Sequence, residues 1–160
     1  MQIRGQSFVD RISPRVKKNV VKFTGVDLNK NDQSEAYRIF SQGSLNHTDM
    51  AFTIVLDGDT AEVSHESRLR IVDSNHPMQK PLFKISLSRP DITPFLKEFN
   101  ALGICDEELP KRIGKDGTYW LLETRRDGQY CADVFWGGRK PAEFLPMLEE
   151  LERILALKEK

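Results

Sequence analysis

At 160 residues, with 39% hydrophobic and 30% charged residues, the chain has room for one domain with a real core. Its 24 basic and 24 acidic residues cancel, which removes the simplest electrostatic argument for a nucleic-acid or acidic-membrane partner. The composition also excludes a disordered chain, and no apolar run approaches the roughly 20 residues that a membrane-spanning helix needs.

Charge is unevenly placed along the chain. Arg4, Arg11, Arg15, Lys17, Lys18 and Lys22 face Asp10 alone in the first 22 residues, so that segment carries +5 and the remainder −5. Residues 1–18 are read as a basic N-terminal arm and 19–160 as one domain. Such an arm can steer an anionic partner, although a solvated terminus is the simpler account. The N-terminus lacks the continuous apolar core of a secretory signal, which points to the cytoplasm, or to export if an upstream signal has been removed. Cys105 and Cys131 have neither C-x-x-C nor His-adjacent spacing, so two reduced, mostly buried thiols are expected, with a disulfide reserved for an exported protein.

Taken in order, Asn19 to Leu28 has the composition of a strand, through Val20, Val21, Phe23, Thr24 and Val26. Ala36 to Gln42 fits either a strand or a helical turn. Ala51 to Leu56 and Ala61 to Ile71 alternate around Asp57-Gly58-Asp59-Thr60 and form a hairpin. A two-residue loop there pairs Leu56 with Ala61, Ile54 with Val63 and Phe52 with His65 on one face. The other face of the second strand, with Glu62, Ser64, Glu66, Arg68 and Arg70, is expected to meet water. Asp73 to Pro81 reads as loop. Leu82 to Ser88 is a further strand with Phe83, Ile85 and Leu87 inward.

Asp91 to Leu102 reads as a helix, capped by Asp91 or Thr93, with Phe95, Leu96, Phe99 and Leu102 as its apolar stripe and Gly103 ending it. Ile104 to Ile113 is irregular. Lys115 to Trp136 is a second hairpin about Asp127-Gly128. Pro141 to Lys158 then forms a helix whose apolar stripe is Phe144, Leu145, Leu148, Leu151, Ile154 and Leu155. The elements add up to an α+β domain: a mainly antiparallel sheet of about five to seven strands, packed by the C-terminal helix and a second helix.

In the second hairpin, a loop of two or four residues sets Leu121 against Val134, Trp120 against Phe135, Leu122 against Asp133 and Glu123 against Ala132. Large apolar groups then lie on both faces, which requires cover on both sides. Glu123 and Asp133 are carboxylates among apolar neighbours, the setting that tunes a general acid or base. The simpler account pairs them with Arg125, Arg126 or Arg139, or with a tyrosine hydroxyl. Lying on opposite faces, they could not act on one substrate atom.

His47, followed by Asp49, could be oriented for chemistry or metal binding if a third ligand came near. His65 reads as a hydrogen-bonded, half-buried residue and His76 as exposed. No metal, cofactor or nucleophile motif is complete. Gly137-Gly138-Arg139-Lys140, before the last helix, is the most anion-friendly turn, although a plain strand-to-helix connection explains it.

Tyr37 to Leu56, a helix ending in Phe99 and Leu102, Asp116-Gly117 with Trp120, Glu123, Gly128, Tyr130 and Trp136, and a Leu-rich last helix occur in this order. The arrangement resembles a group of small uncharacterised bacterial proteins with a D-G-x-x-W-x-x-E…G-x-Y…W segment before a C-terminal helix. The likeness covers about three quarters of the chain. It departs at Gly137-Gly138, where the group tends to place Ser-Pro, and in the export signal that many members carry.

The resemblance implies a fold, and a shared structural or binding purpose for Trp120, Glu123 and Tyr130, but no reaction. The first functional expectation is therefore a non-enzymatic bacterial binding or interaction protein of adaptor, accessory or immunity-like type. Its binding residues would be Glu123, Tyr130, Trp136, Arg139 and Lys140, with no catalytic set, metal, cofactor or membrane involvement. Two alternatives stay open: a small enzyme using carboxylate or histidine acid–base chemistry through Glu123, Asp133, His47 or His65, and weak nucleic-acid binding through the basic arm.

Overall fold

A computed structural model describes residues 14–29, 35–43, 48–69, 82–105, 119–136 and 142–157. Residues 1–13 of the basic arm, His47, His76, the 73–81 loop, most of the 104–113 segment and the turn bearing Arg139 and Lys140 lie outside them. The described elements, in chain order, are α1 (Pro14–Thr24), β1 (Glu35–Gln42), β2 (Thr48–Asp57), β3 (Thr60–Leu69), β4 (Leu82–Ser88), α2 (Arg89–Ala101), β5 (Tyr119–Arg126) and β6 (Gln129–Trp136). A short 3₁₀ turn (Ala142–Phe144) then leads into α3 (Leu145–Leu157).

The strands form one antiparallel six-stranded sheet of order β4-β3-β2-β1-β5-β6. Four strands run as a meander, and the β5–β6 hairpin docks on β1. Both hairpins take the two-residue register that their turn residues demand: Leu56 faces Ala61 and Phe52 faces His65, while Glu123 faces Ala132 and Trp120 faces Phe135. At the second turn, Asp127 (φ 54°) and Gly128 (φ 76°) both occupy the left-handed region. Two successive positive φ values match the right-handed twist of the flanking strands, and they favour Asp-Gly over bulkier pairs.

On one face, α2 and α3 cover an apolar layer in which Tyr37, Phe52, Trp120, Phe95, Phe99 and Phe144 meet. Phe144 stands edge-on to both Phe135 (4.8 Å between centroids) and Trp120 (6.0 Å). Packing sets the stripes: Ile92, Phe95, Leu96 and Phe99 are buried on α2, and Met147, Leu148, Leu151 and Ile154 on α3. Leu145, expected in that stripe, is 51% exposed, and Met147 takes the inward position.

Ser88 caps α2 at its N-terminus, its hydroxyl (2.8 Å) and amide (3.3 Å) both donating to Asp91. Asp91 and Thr93, the two expected caps, both lie inside the helix: Asp91 is its third residue, and Thr93 donates its hydroxyl to the Arg89 carbonyl at 2.8 Å.

The opposite face is covered by α1, where the sequence suggests a strand. Val16, Val20 and Phe23 recur at i, i+4 and i+7 and are buried, while Arg15, Lys18 and Lys22 face outward. Tertiary packing of that stripe outweighs the β-propensity of Val20-Val21 and Phe23-Thr24. Gly25 (φ 75°) ends the helix, its amide donating to the Val21 carbonyl at 2.7 Å. The face expected to meet water is thus partly sheltered. Ser64, Glu66 and Arg68 are half-buried, and the Arg68 guanidinium lies 5.4 Å from the Phe23 ring centroid.

Cys105 and Cys131, expected as free thiols, form a disulfide joining the segment after α2 to β6, with Cα atoms 5.3 Å apart. Only the packing of α2 on the sheet brings these two positions within bridging distance.

Candidate functional site

Arg38 has no apolar excuse for its position. It occupies the middle of β1, the strand that pairs with both β2 and β5, and is 1% exposed. The register sets it beside Glu123, which is 2% exposed. Its Nε donates to Glu123 Oε2 at 2.5 Å, and the Tyr130 hydroxyl donates to Oε1, also at 2.5 Å.

The rest of the guanidinium turns to α1. Nη1 donates to Thr24 Oγ1 (3.0 Å) and to the Val26 carbonyl (2.9 Å). From the adjacent strand, Arg125 Nη1 donates to the carbonyls of Asn29 (2.9 Å) and Leu28 (3.3 Å). Two buried arginines therefore hold the C-terminal end of α1 and the loop after it against the sheet. Burial and the Glu123 charge push the Tyr130 hydroxyl well above the ordinary tyrosine pKa, so the phenol keeps its proton and remains a donor to Glu123.

Glu123 is neutralised not by its chain neighbour Arg125, which binds backbone carbonyls, but by Arg38. Sequence proximity misleads here because a cross-strand partner 85 positions away is nearer in space than a neighbour in the chain. A charged residue inside Ala36-Tyr37-Arg38-Ile39-Phe40 is the signal that could have found it.

Asp133 projects from the other face, is 2% exposed, and its Oδ1 accepts the Val134 amide at 2.9 Å. His65 is half-buried on that same face, with its ring 5.7 Å from the Phe83 ring. The register places His65, Phe52, Ile39, Leu122 and Asp133 in one row across five strands. Four strand spacings put His65 and Asp133 roughly 19 Å apart.

Asp49 is buried, and its Oδ1 accepts the Gly43 amide at 3.1 Å while its Oδ2 lies 3.6 Å from Arg68 Nη2. Trp136 closes β6 opposite Tyr119. No group of three or more potential metal ligands occurs among the described residues.

The sequence matches no model of a known protein family, and it matches no curated protein.

Proposed function

We propose that this protein is a non-enzymatic binding or interaction protein of the adaptor, accessory or immunity-like kind, in keeping with its resemblance to the small bacterial proteins that share the D-G-x-x-W-x-x-E…G-x-Y…W hairpin. The row across the sheet carries this reading: the described acid–base candidates diverge. Glu123 is held by Arg38 and Tyr130 on one face, while Asp133 and His65 stand on the other, four strands apart. Paired acid–base catalysis needs both groups within hydrogen-bond reach of one substrate. Glu123 and Tyr130 contribute to binding indirectly, by fixing the surface that α1 presents.

The test joins calorimetric titration of a co-purifying partner to a hydrolase and isomerase substrate panel. The reading stands if binding saturates at a fixed stoichiometry and no turnover is seen. Turnover lost in Asp133→Asn or His65→Gln proteins that keep native spectra would overturn it.

A second reading, weak nucleic-acid binding, draws on Arg15, Lys18 and Lys22, exposed on the outer side of α1. It requires an affinity that falls steeply with salt and is abolished by K18E/K22E.

Among the described residues no helix is long and apolar enough to cross a membrane. The Cys105–Cys131 bond favours the exported alternative over the cytoplasmic one, because protein disulfides persist in oxidising compartments. Alkylation of the protein taken directly from its host would settle the matter: blocked cysteines support export, free ones refute it.

A further inference from the structure

Beneath α1 the buried charges do not balance. Arg38 spends Nε on Glu123 and Nη1 on Thr24 and Val26, which leaves Nη2 buried with no hydrogen-bond partner. Arg125, 8% exposed, meets two backbone carbonyls and no carboxylate among the described residues. Ala36 faces Arg125 and Arg38 faces Glu123, so the two arginines leave the same face as diagonal neighbours, roughly 7–8 Å apart at the backbone.

Both reach the 24–29 segment, whose Gly25 and Val26 are exposed. Lys17 adds a third cation, its Nζ 6.0 Å from the Tyr130 ring centroid. Opposing them are Glu123, already engaged, and half-buried Asp27, whose Oδ1 accepts the Asn29 amide at 3.0 Å. A buried guanidinium without a counter-ion is costly, as is a buried N–H without an acceptor.

From this geometry we infer an anion-binding site between Arg38 Nη2 and Arg125, at the junction of the 25–29 loop with the sheet, for a small oxyanion of carboxylate or phosphate type. A planar guanidinium suits such a ligand because it offers N–H groups in a fixed fork. The bound anion would accept from Nη2, compensate Arg125, and pin the loop that ends α1. This site does not rest on the binding role proposed above, although it shares Arg38 with the network that positions α1.

The experiment uses the whole protein with nitrogen-15-labelled arginine. Sodium phosphate and sodium acetate are titrated separately against sodium chloride at matched ionic strength, and the guanidinium resonances are followed. Saturable shifts at Arg38 and Arg125, absent at Arg153 on the far side, are expected with phosphate, acetate or both, and the arm that saturates first identifies the ligand type. Arg125→Gln, which retains donors for the loop carbonyls, should weaken binding about tenfold or more, in line with loss of one charged hydrogen-bonding group. Arg125→Lys should restore part of it. If neither salt shifts these resonances beyond the chloride control, or if Nη2 protons show contact with water alone, the site does not exist.

Discussion

The two faces of the sheet solve the same problem in different ways. Under α2 and α3 the contacts are aromatic and aliphatic, as where Phe95 and Phe99 meet Phe52 and Tyr37 at 5.2–5.5 Å. Under α1 an apolar stripe is interrupted by Arg38, Glu123, Tyr130 and Arg125. An apolar face gains stability from area removed from water and tolerates sliding between well-packed alternatives. A charged face gains little net energy, yet any displacement leaves a buried ion unpaired. The first face therefore supplies stability, and the second fixes where α1 can sit.

The sharpest way to break that comparison is to remove one partner from each face. Glu123→Ala should cost about 3–5 kcal/mol by stranding Arg38, and Phe99→Ala a similar amount by opening a cavity. The difference lies in rescue. The double variant Arg38→Met, Glu123→Leu should recover most of the loss in urea unfolding, because it removes both charges together. If it remains as unstable as Glu123→Ala, the ion pair is a source of stability in its own right and the contrast fails.

Next in size is the disulfide, which ties β6 to the segment after α2 across a separation of 26 residues. Loss of the bond in Cys105→Ser should cost about 3 kcal/mol through the gain in unfolded-chain entropy. Dithiothreitol should lower the denaturation midpoint of the wild type to that of the variant and leave the variant unmoved. A reductant effect on both proteins would detach the loss from this bond.

Alkaline pH separates the faces through their phenols. Burial and Glu35, whose carboxylate accepts its hydroxyl, push Tyr37 up to about 12, and Tyr130 is raised by burial and Glu123. A phenol whose pKa is raised by folding contributes stability that is intact below its unfolded value of about 10 and is lost as pH rises through the folded value. Stability should therefore fall above pH 10, and Tyr37 should be half-titrated only near pH 12. Tyrosinate absorbance read alongside circular dichroism checks this. Ionisation of these phenols at pH 10 in the folded chain would contradict it.

The smallest effect concerns Asn19, whose amide donates to Gln42 Oε1 at 2.9 Å where α1 crosses β1. Asn19→Ala should cost about 1 kcal/mol, the value of one net hydrogen bond. Thermal denaturation would show it, and a loss several times larger would mean that this contact, rather than the arginines, positions α1.

Much of the sheet was legible in the chain because its information is local. Gly58-Asp59 and Asp127-Gly128 set two registers, and alternation with period two then assigned Phe52, His65, Trp120 and Glu123 to their faces. The hairpin's need for cover on both sides could also be read there. What covered the second face could not, since Val16, Val20 and Phe23 describe a helical stripe only if the chain already has a sheet to lay it on.

The sequence by itself therefore determined the two hairpins with their registers, the strand at 82–88 and most of the α2 stripe, through turn chemistry and periodicity that act over a few residues, while it left 36–42 open between strand and helical turn. Tertiary structure decided that 14–24 is helical, that Cys105 reaches Cys131, and that Glu123 answers to Arg38 rather than to a neighbouring arginine. Each of these depends on groups far apart in the chain, and burial in a shared core outweighs any local preference.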